Sequence, residues 1–128
     1  MCSGFLSDKR DMYDALIAEG VAKRRARELQ NLMVHCKYET FGIDSALESF
    51  VQYDIVVATT NIDSKELKRL AQAATEAEIT LCIMSPSLDR ARDMACREIV
   101  EQHRCTTIDN RGYLLVFNNY LPKQKFKL

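Results

Sequence analysis

The sequence predicts an α/β fold: a mostly parallel sheet with a C-terminal antiparallel β-hairpin, preceded by an N-terminal helical segment. Three observations carry this. Asp54–Ala58 and Ile79–Met84 are short, nearly continuous apolar runs, which is how strands buried on both faces of a parallel sheet read. Between them, Ser64–Glu78 is amphipathic at helical spacing, and parallel neighbours need such a crossover. Finally, Cys105–Ile108 and Tyr113–Phe117 flank Asp109-Asn110-Arg111-Gly112, a turn with glycine where positive φ is wanted.

The elements follow in chain order. Ser7 is placed to cap a helix opening with Asp8, Lys9, Arg10 and Asp11, and Met12, Tyr13, Leu16 and Ile17 supply its apolar stripe. Gly20 breaks or bends this segment. A second helical stretch runs from Val21 to Leu32, and the spacing leaves open whether 8–32 is one helix or two. At Met33 the period becomes two: Val34, Cys36 and Tyr38 alternate with His35, Lys37 and Glu39, which predicts a strand over 33–39. Phe41-Gly42 then reads as a turn. Beyond it come a short helix over 43–51, a strand over 54–59, a helix over 63–77, a strand over 79–84 and a helix over 87–103. The hairpin is expected at the sheet edge. The 128 residues therefore read as one α/β domain, with helical segment 7–32, core 33–121 and basic tail 122–128, where Phe126 and Leu128 are the anchors.

Composition narrows the function classes. Apolar residues make up 47% and charged residues 28% of the chain, ordinary values for a soluble globular protein. Eighteen basic and eighteen acidic side chains cancel. No whole-molecule field is left to capture nucleic acid or an anionic membrane, and little opposes self-association. The five cysteines are odd in number, widely spaced and without a C-x-x-C pair. That argues for a reducing compartment rather than a disulfide framework. The N-terminal Met1–Leu6 lacks an apolar run long enough for a signal peptide, and no run approaches a membrane span, so the expected location is cytoplasmic.

In open α/β sheets ligands sit beyond the carboxyl ends of the strands. Thr59, Thr60, Asn61, Asp63, Ser64, Ser85 and Ser87 occupy those positions. Small hydroxyl and amide groups beside helix N-terminal N–H donors suit a phosphate or carboxylate. Capping alone explains the same residues. Asp63 with Glu66 fits a capping box, and Ser85 before Pro86 fits an N-cap with proline following. Neither G-x-G-x-x-G nor G-x-x-x-x-G-K-[ST] occurs, so no cofactor is expected. The outline of the middle of the chain resembles the second part of a Rossmann-like domain, a three-layer sandwich, or a phosphotransferase B-type domain lacking its first strand.

Lys23, Arg24, Arg25 and Arg27 form the densest charge cluster, a candidate grip on nucleic-acid phosphates or an acidic partner. Glu19–Lys23 and Arg24–Glu28 at i,i+4 equally describe a solvated helix face. His35-Cys36 and His103-Arg104-Cys105 set the two histidines beside cysteines, but no zinc-ligand spacing accompanies them and no metal site is expected. Asp89, Arg90, Arg92, Asp93, Arg97 and Glu98 read as a solvated helix surface. No nucleophile–base pair or carboxylate dyad stands out. The reading is a non-catalytic protein-interaction or regulatory module, with a protein partner or self-association and no membrane. A nucleotide- or anion-binding domain and a nucleic-acid-binding regulator are the alternatives.

Overall fold

The structure is a computed structural model that describes residues 12–103, 106–109, 112–118 and 125–127. The chain divides into two compact units, Met1–Tyr38 and Glu39–Leu128. The candidate cap at Ser7 and residues Cys2, Arg104 and Cys105 lie outside the described residues.

The first unit is a helical hairpin of α1 (Met12–Ala18) and α2 (Lys23–His35). Gly20 decides that there are two helices. It adopts φ 91°, and its N–H donates to Ile17 O while Val21 N–H donates to Leu16 O. This pair of bonds closes a helix through a left-handed residue, which glycine enters without a Cβ penalty. Met12, Ala15 and Leu16 on α1 and Ala26, Leu29 and Met33 on α2 are buried. A bond from Tyr13 N to Gln30 Oε1 of 3.1 Å ties the two together.

The strand expected over 33–39 is not formed. Helix α2 continues through His35, and the same left-handed closure follows, with Lys37 at φ 60°, its N–H on Val34 O and Tyr38 N–H on Met33 O. Alternation over Val34, Cys36 and Tyr38 was a helix end rather than a strand: Val34 is 68% exposed. The first strand is instead β1 (Phe41–Ile43), where a turn was expected. The side chain of Asp54 accepts Glu39 N–H and Thr40 N–H at 2.7 and 3.2 Å, which sets β1 beside the next strand.

In the second unit β1 is followed by a 3-10 helix (Leu47–Gln52), which replaces the expected α-helix over 43–51. Then come β2 (Ile55–Ala58), α3 (Ser64–Ala77), β3 (Thr80–Met84), α4 (Arg90–Gln102), β4 (Thr107–Asp109), β5 (Tyr113–Val116) and β6 (Lys125–Lys127). The six strands form one mixed sheet in the order β1-β2-β3-β5-β4-β6. The pairs β1–β2, β2–β3 and β4–β6 are parallel, whereas β3–β5 and β4–β5 are antiparallel. Val56 lies opposite Leu81, which lies opposite Val116. The hairpin β4–β5 forms as expected, but it is interior rather than marginal: β5 sits between β3 and β4, and the backbone at 125–127, expected as a tail, pairs with β4.

Register explains the core. Val56, Ala58, Leu81, Ile83, Leu114 and Val116 share one sheet face, and Phe50, Leu67, Leu70, Ala74, Ala95, Cys96 and Ile99 from the helices pack on it. The alternate residues Ile55, Val57, Cys82 and Leu115 are buried as well, which is why these strands read as unbroken apolar runs.

Candidate functional site

Three parallel strands stop side by side, and the residues that follow them are Asp44 after β1, Thr59 after β2 and Ser85 after β3. Asp44 and Ser85 both take left-handed backbone, φ 52° and 50°, a conformation that costs a non-glycine residue about 1–3 kcal/mol unless its surroundings hold it. Here they do. The Asp44 carboxylate accepts Thr59 N–H at 2.8 Å and the Thr59 hydroxyl at 2.6 Å. Thr59 Oγ1 in turn accepts Asn61 N–H at 3.2 Å.

Arg92 closes the arrangement. It is 2% exposed, reaching in from the first turn of α4. Nε donates to Met84 O and Ser85 O at 3.1 Å each, Nη2 to Met84 O at 2.8 Å and Thr59 O at 3.1 Å, and Nη1 to Ile62 O at 2.6 Å. Four carbonyls from the ends of β2 and β3 are thus held by one planar fork of donors, a task for which arginine's fixed geometry suits it. Burial pulls this guanidinium below the usual arginine value, while Cys96 and the carboxylates of Asp89 and Asp44 act against that.

The strand-end residues singled out from sequence divide around this network. Thr59 is buried in it and Ser85 contributes a carbonyl. Asp63 caps α3, its carboxylate accepting Glu66 N–H at 2.9 Å, and Ser64 is the first residue of that helix. Thr60, Asn61 and Ser87 are exposed. The capping role expected of Ser85 belongs to Asp89, which accepts Arg92 N–H at 2.8 Å, so α4 begins at Arg90 rather than 87. Arg92 is the main correction: the sequence expects it on the solvated face of the helix, and it is interior. Asp44 was not singled out at all. A signal for Arg92 was present, because 92, 95, 96 and 99 fall on one helical stripe with the buried Ala95, Cys96 and Ile99.

The topology bears on ligands too. A doubly wound sheet opens a crevice where strand order reverses. Among the described residues β1, β2 and β3 follow one another across the sheet without reversal, and Arg92 binds the carbonyls that follow β2 and β3.

The other candidates are placed as follows. Lys23, Arg24 and Arg27 are exposed on α2, and Arg25 is half-buried. Arg24 and Arg25 pair with Glu28, while Lys23 and Arg27 make no ion pair among the described residues. His35 ends α2 and is exposed. His103 is buried, and its Nε2 donates to Phe117 O at 2.6 Å, a structural tie. Among the described residues no three His, Cys, Asp or Glu side chains are grouped to hold a metal ion, and no helix is long and apolar enough to cross a membrane.

A second place is open rather than filled. The 3-10 helix and α3 border a groove of about 510 Å³. Leu47, Phe50, Val51, Ala73 and Ala77 are its apolar lining, and Glu48, Arg69, Gln72 and Glu76 its polar one. Val51 is 75% exposed and Leu47 37%. No family model matches the chain, and neither does any curated protein or solved structure.

Proposed function

We propose that the chain is a non-catalytic protein-interaction or regulatory module built on a Rossmann-like sheet. The observation that carries the reading is the groove beside the 3-10 helix, where Leu47 and Val51 present apolar surface to solvent. Apolar groups gathered at a groove cost free energy in water and are relieved by a partner. The zero net charge is compatible with association. The Rossmann-like part of the reading is supported by the β2–α3–β3 parallel unit.

The anion-binding alternative draws on the exposed Thr60, Asn61 and Ser87, but Arg92 spends its donors on backbone carbonyls at the position a ligand would take. The nucleic-acid alternative is favoured by one observation: Lys23 and Arg27 lie one turn apart on α2 with no ion pair among the described residues. It requires salt-dependent retention of DNA or RNA that disappears when Arg24, Arg25 and Arg27 become alanine.

The module reading is tested by light scattering and affinity capture with the native chain and Val51→Asp. A defined oligomer or complex that the substitution dissolves, together with no thermal shift from nucleotides or sugar phosphates, supports it. A monodisperse monomer that captures nothing overturns it.

A further inference from the structure

We propose that the groove between the 3-10 helix and α3 receives an amphipathic helix from a partner protein, with leucine-like side chains inward and a lysine or arginine beside Glu48 and Glu76. The proposal deepens the interaction reading above and rests on it.

The occupant's secondary structure follows from the walls. Both sides of the groove are helical, Leu47–Gln52 and Ser64–Ala77, so away from their ends the backbone N–H and C=O groups are engaged within their own turns. Among the described residues no strand contributes to the lining, so none is offered there to pair with an extended peptide. A segment entering it must satisfy its own backbone groups, and a helix does so. The length fits. Arg69, Gln72, Ala73, Glu76 and Ala77 form one stripe of α3 at i, i+3, i+4, i+7 and i+8. That stripe covers roughly 12 Å at 1.5 Å per residue, two turns of a partner helix.

The occupant's charge follows from the rim. Arg69 is neutralised by Glu66, Nη1 to Oε1 at 3.0 Å. Among the described residues Glu76 accepts from the uncharged Gln72, at 3.3 Å, and neither it nor Glu48 has an ion pair. With Arg69 already paired, the polar side of the lining is left with two carboxylates that have no ion pair among the described residues, and a basic helix complements it where an acidic one is repelled. Exposed pairs of this kind choose the partner more than they tighten it.

The test uses the full chain, labelled with 15N, and two synthetic peptides sharing one leucine stripe at i, i+3, i+4 and i+7, flanked by lysines in one and glutamates in the other. The lysine peptide is expected to shift the amides of Val51, Ala73 and Ala77 and to bind roughly tenfold more tightly than its acidic twin. Val51→Asp, at an exposed position that leaves the fold intact, weakens it. The double substitution Glu48→Lys, Glu76→Lys inverts the preference. Shifts that map away from the groove, or a preference that survives the charge reversal, overturn the proposal. Concentration-dependent shifts at the same amides without peptide overturn it as well, by making a second copy the occupant. A groove that takes neither peptide, in a chain that still forms a complex indifferent to Val51→Asp, sinks this proposal and spares the broader reading.

Discussion

The carboxylate of Asp44 accepts both the backbone N–H and the hydroxyl of Thr59, at 2.8 and 2.6 Å. One side chain, itself held at φ 52°, thereby fastens the end of β1 to the end of β2. Hydrogen bonds to a charged acceptor are worth about 1.5–3 kcal/mol when they replace contacts with water.

Thr59→Val removes the hydroxyl and leaves the Asp44 carboxylate short of a donor in a half-buried site. Urea unfolding should show a loss of about 1–3 kcal/mol. Thr59→Ser, which keeps the hydroxyl, should lose much less. A serine variant that loses more than the valine variant would place the effect in the methyl group instead.

Arg92 holds four carbonyls, so its truncation exposes the cost of orphaned acceptors. Arg92→Met keeps most of the apolar length and should cost about 3 kcal/mol or more. Arg92→Lys keeps the charge but cannot fork to both strand ends, and should recover less than half of that loss. A lysine variant as stable as the native chain would show that charge, not geometry, is what this position supplies.

Burial pushes the Cys96 thiol up to about 11, and burial raises Cys82 further still. Near pH 8 roughly one Cys96 in a thousand is thiolate. Alkylation read residue by residue should therefore mark half-buried Cys36 in the folded chain, and Cys82 and Cys96 only after unfolding. Rapid native labelling of Cys96 would contradict its placement.

The same shift makes stability depend on pH, and its sign can be worked out. Below the ordinary value of 9.0 both folded and unfolded chains hold the Cys96 proton, and nothing is lost. From 9.0 to about 11 only the unfolded chain releases it, which favours unfolding by about 1.4 kcal/mol per pH unit. Cys96→Ala should show a shallower alkaline decline than the native chain in denaturant titrations. Parallel declines would refute the linkage.

Gly42 is buried in β1, and a Cβ there would meet Ser45 Oγ and, at 2.9 Å, Cε2 of the Tyr53 ring. Gly42→Ala should lose about 1–3 kcal/mol by overpacking. Pairing it with Tyr53→Ala should give less than the sum of the two single losses. Additive losses would mean that the ring is not what limits the space.

What could be read from the chain was whatever local chemistry decides. The strands at 55–58 and 80–84 announced themselves as apolar runs, α3 by its stripe and its Asp63 cap, and the hairpin by its turn. The error at 33–39 has a local cause as well: a period of two over three residues cannot be told from the irregular end of a helix. Tertiary structure alone decided the rest. β5 lies between β3 and β4 because pairing joins residues far apart in sequence, and no local pattern encodes which neighbour a strand will take. Arg92 is buried because four carbonyls from two separate strand ends converge on its position, so its environment does not exist until the sheet has formed. A charged residue counts as surface by its own chemistry, and only the fold supplies the acceptors that bring it inside.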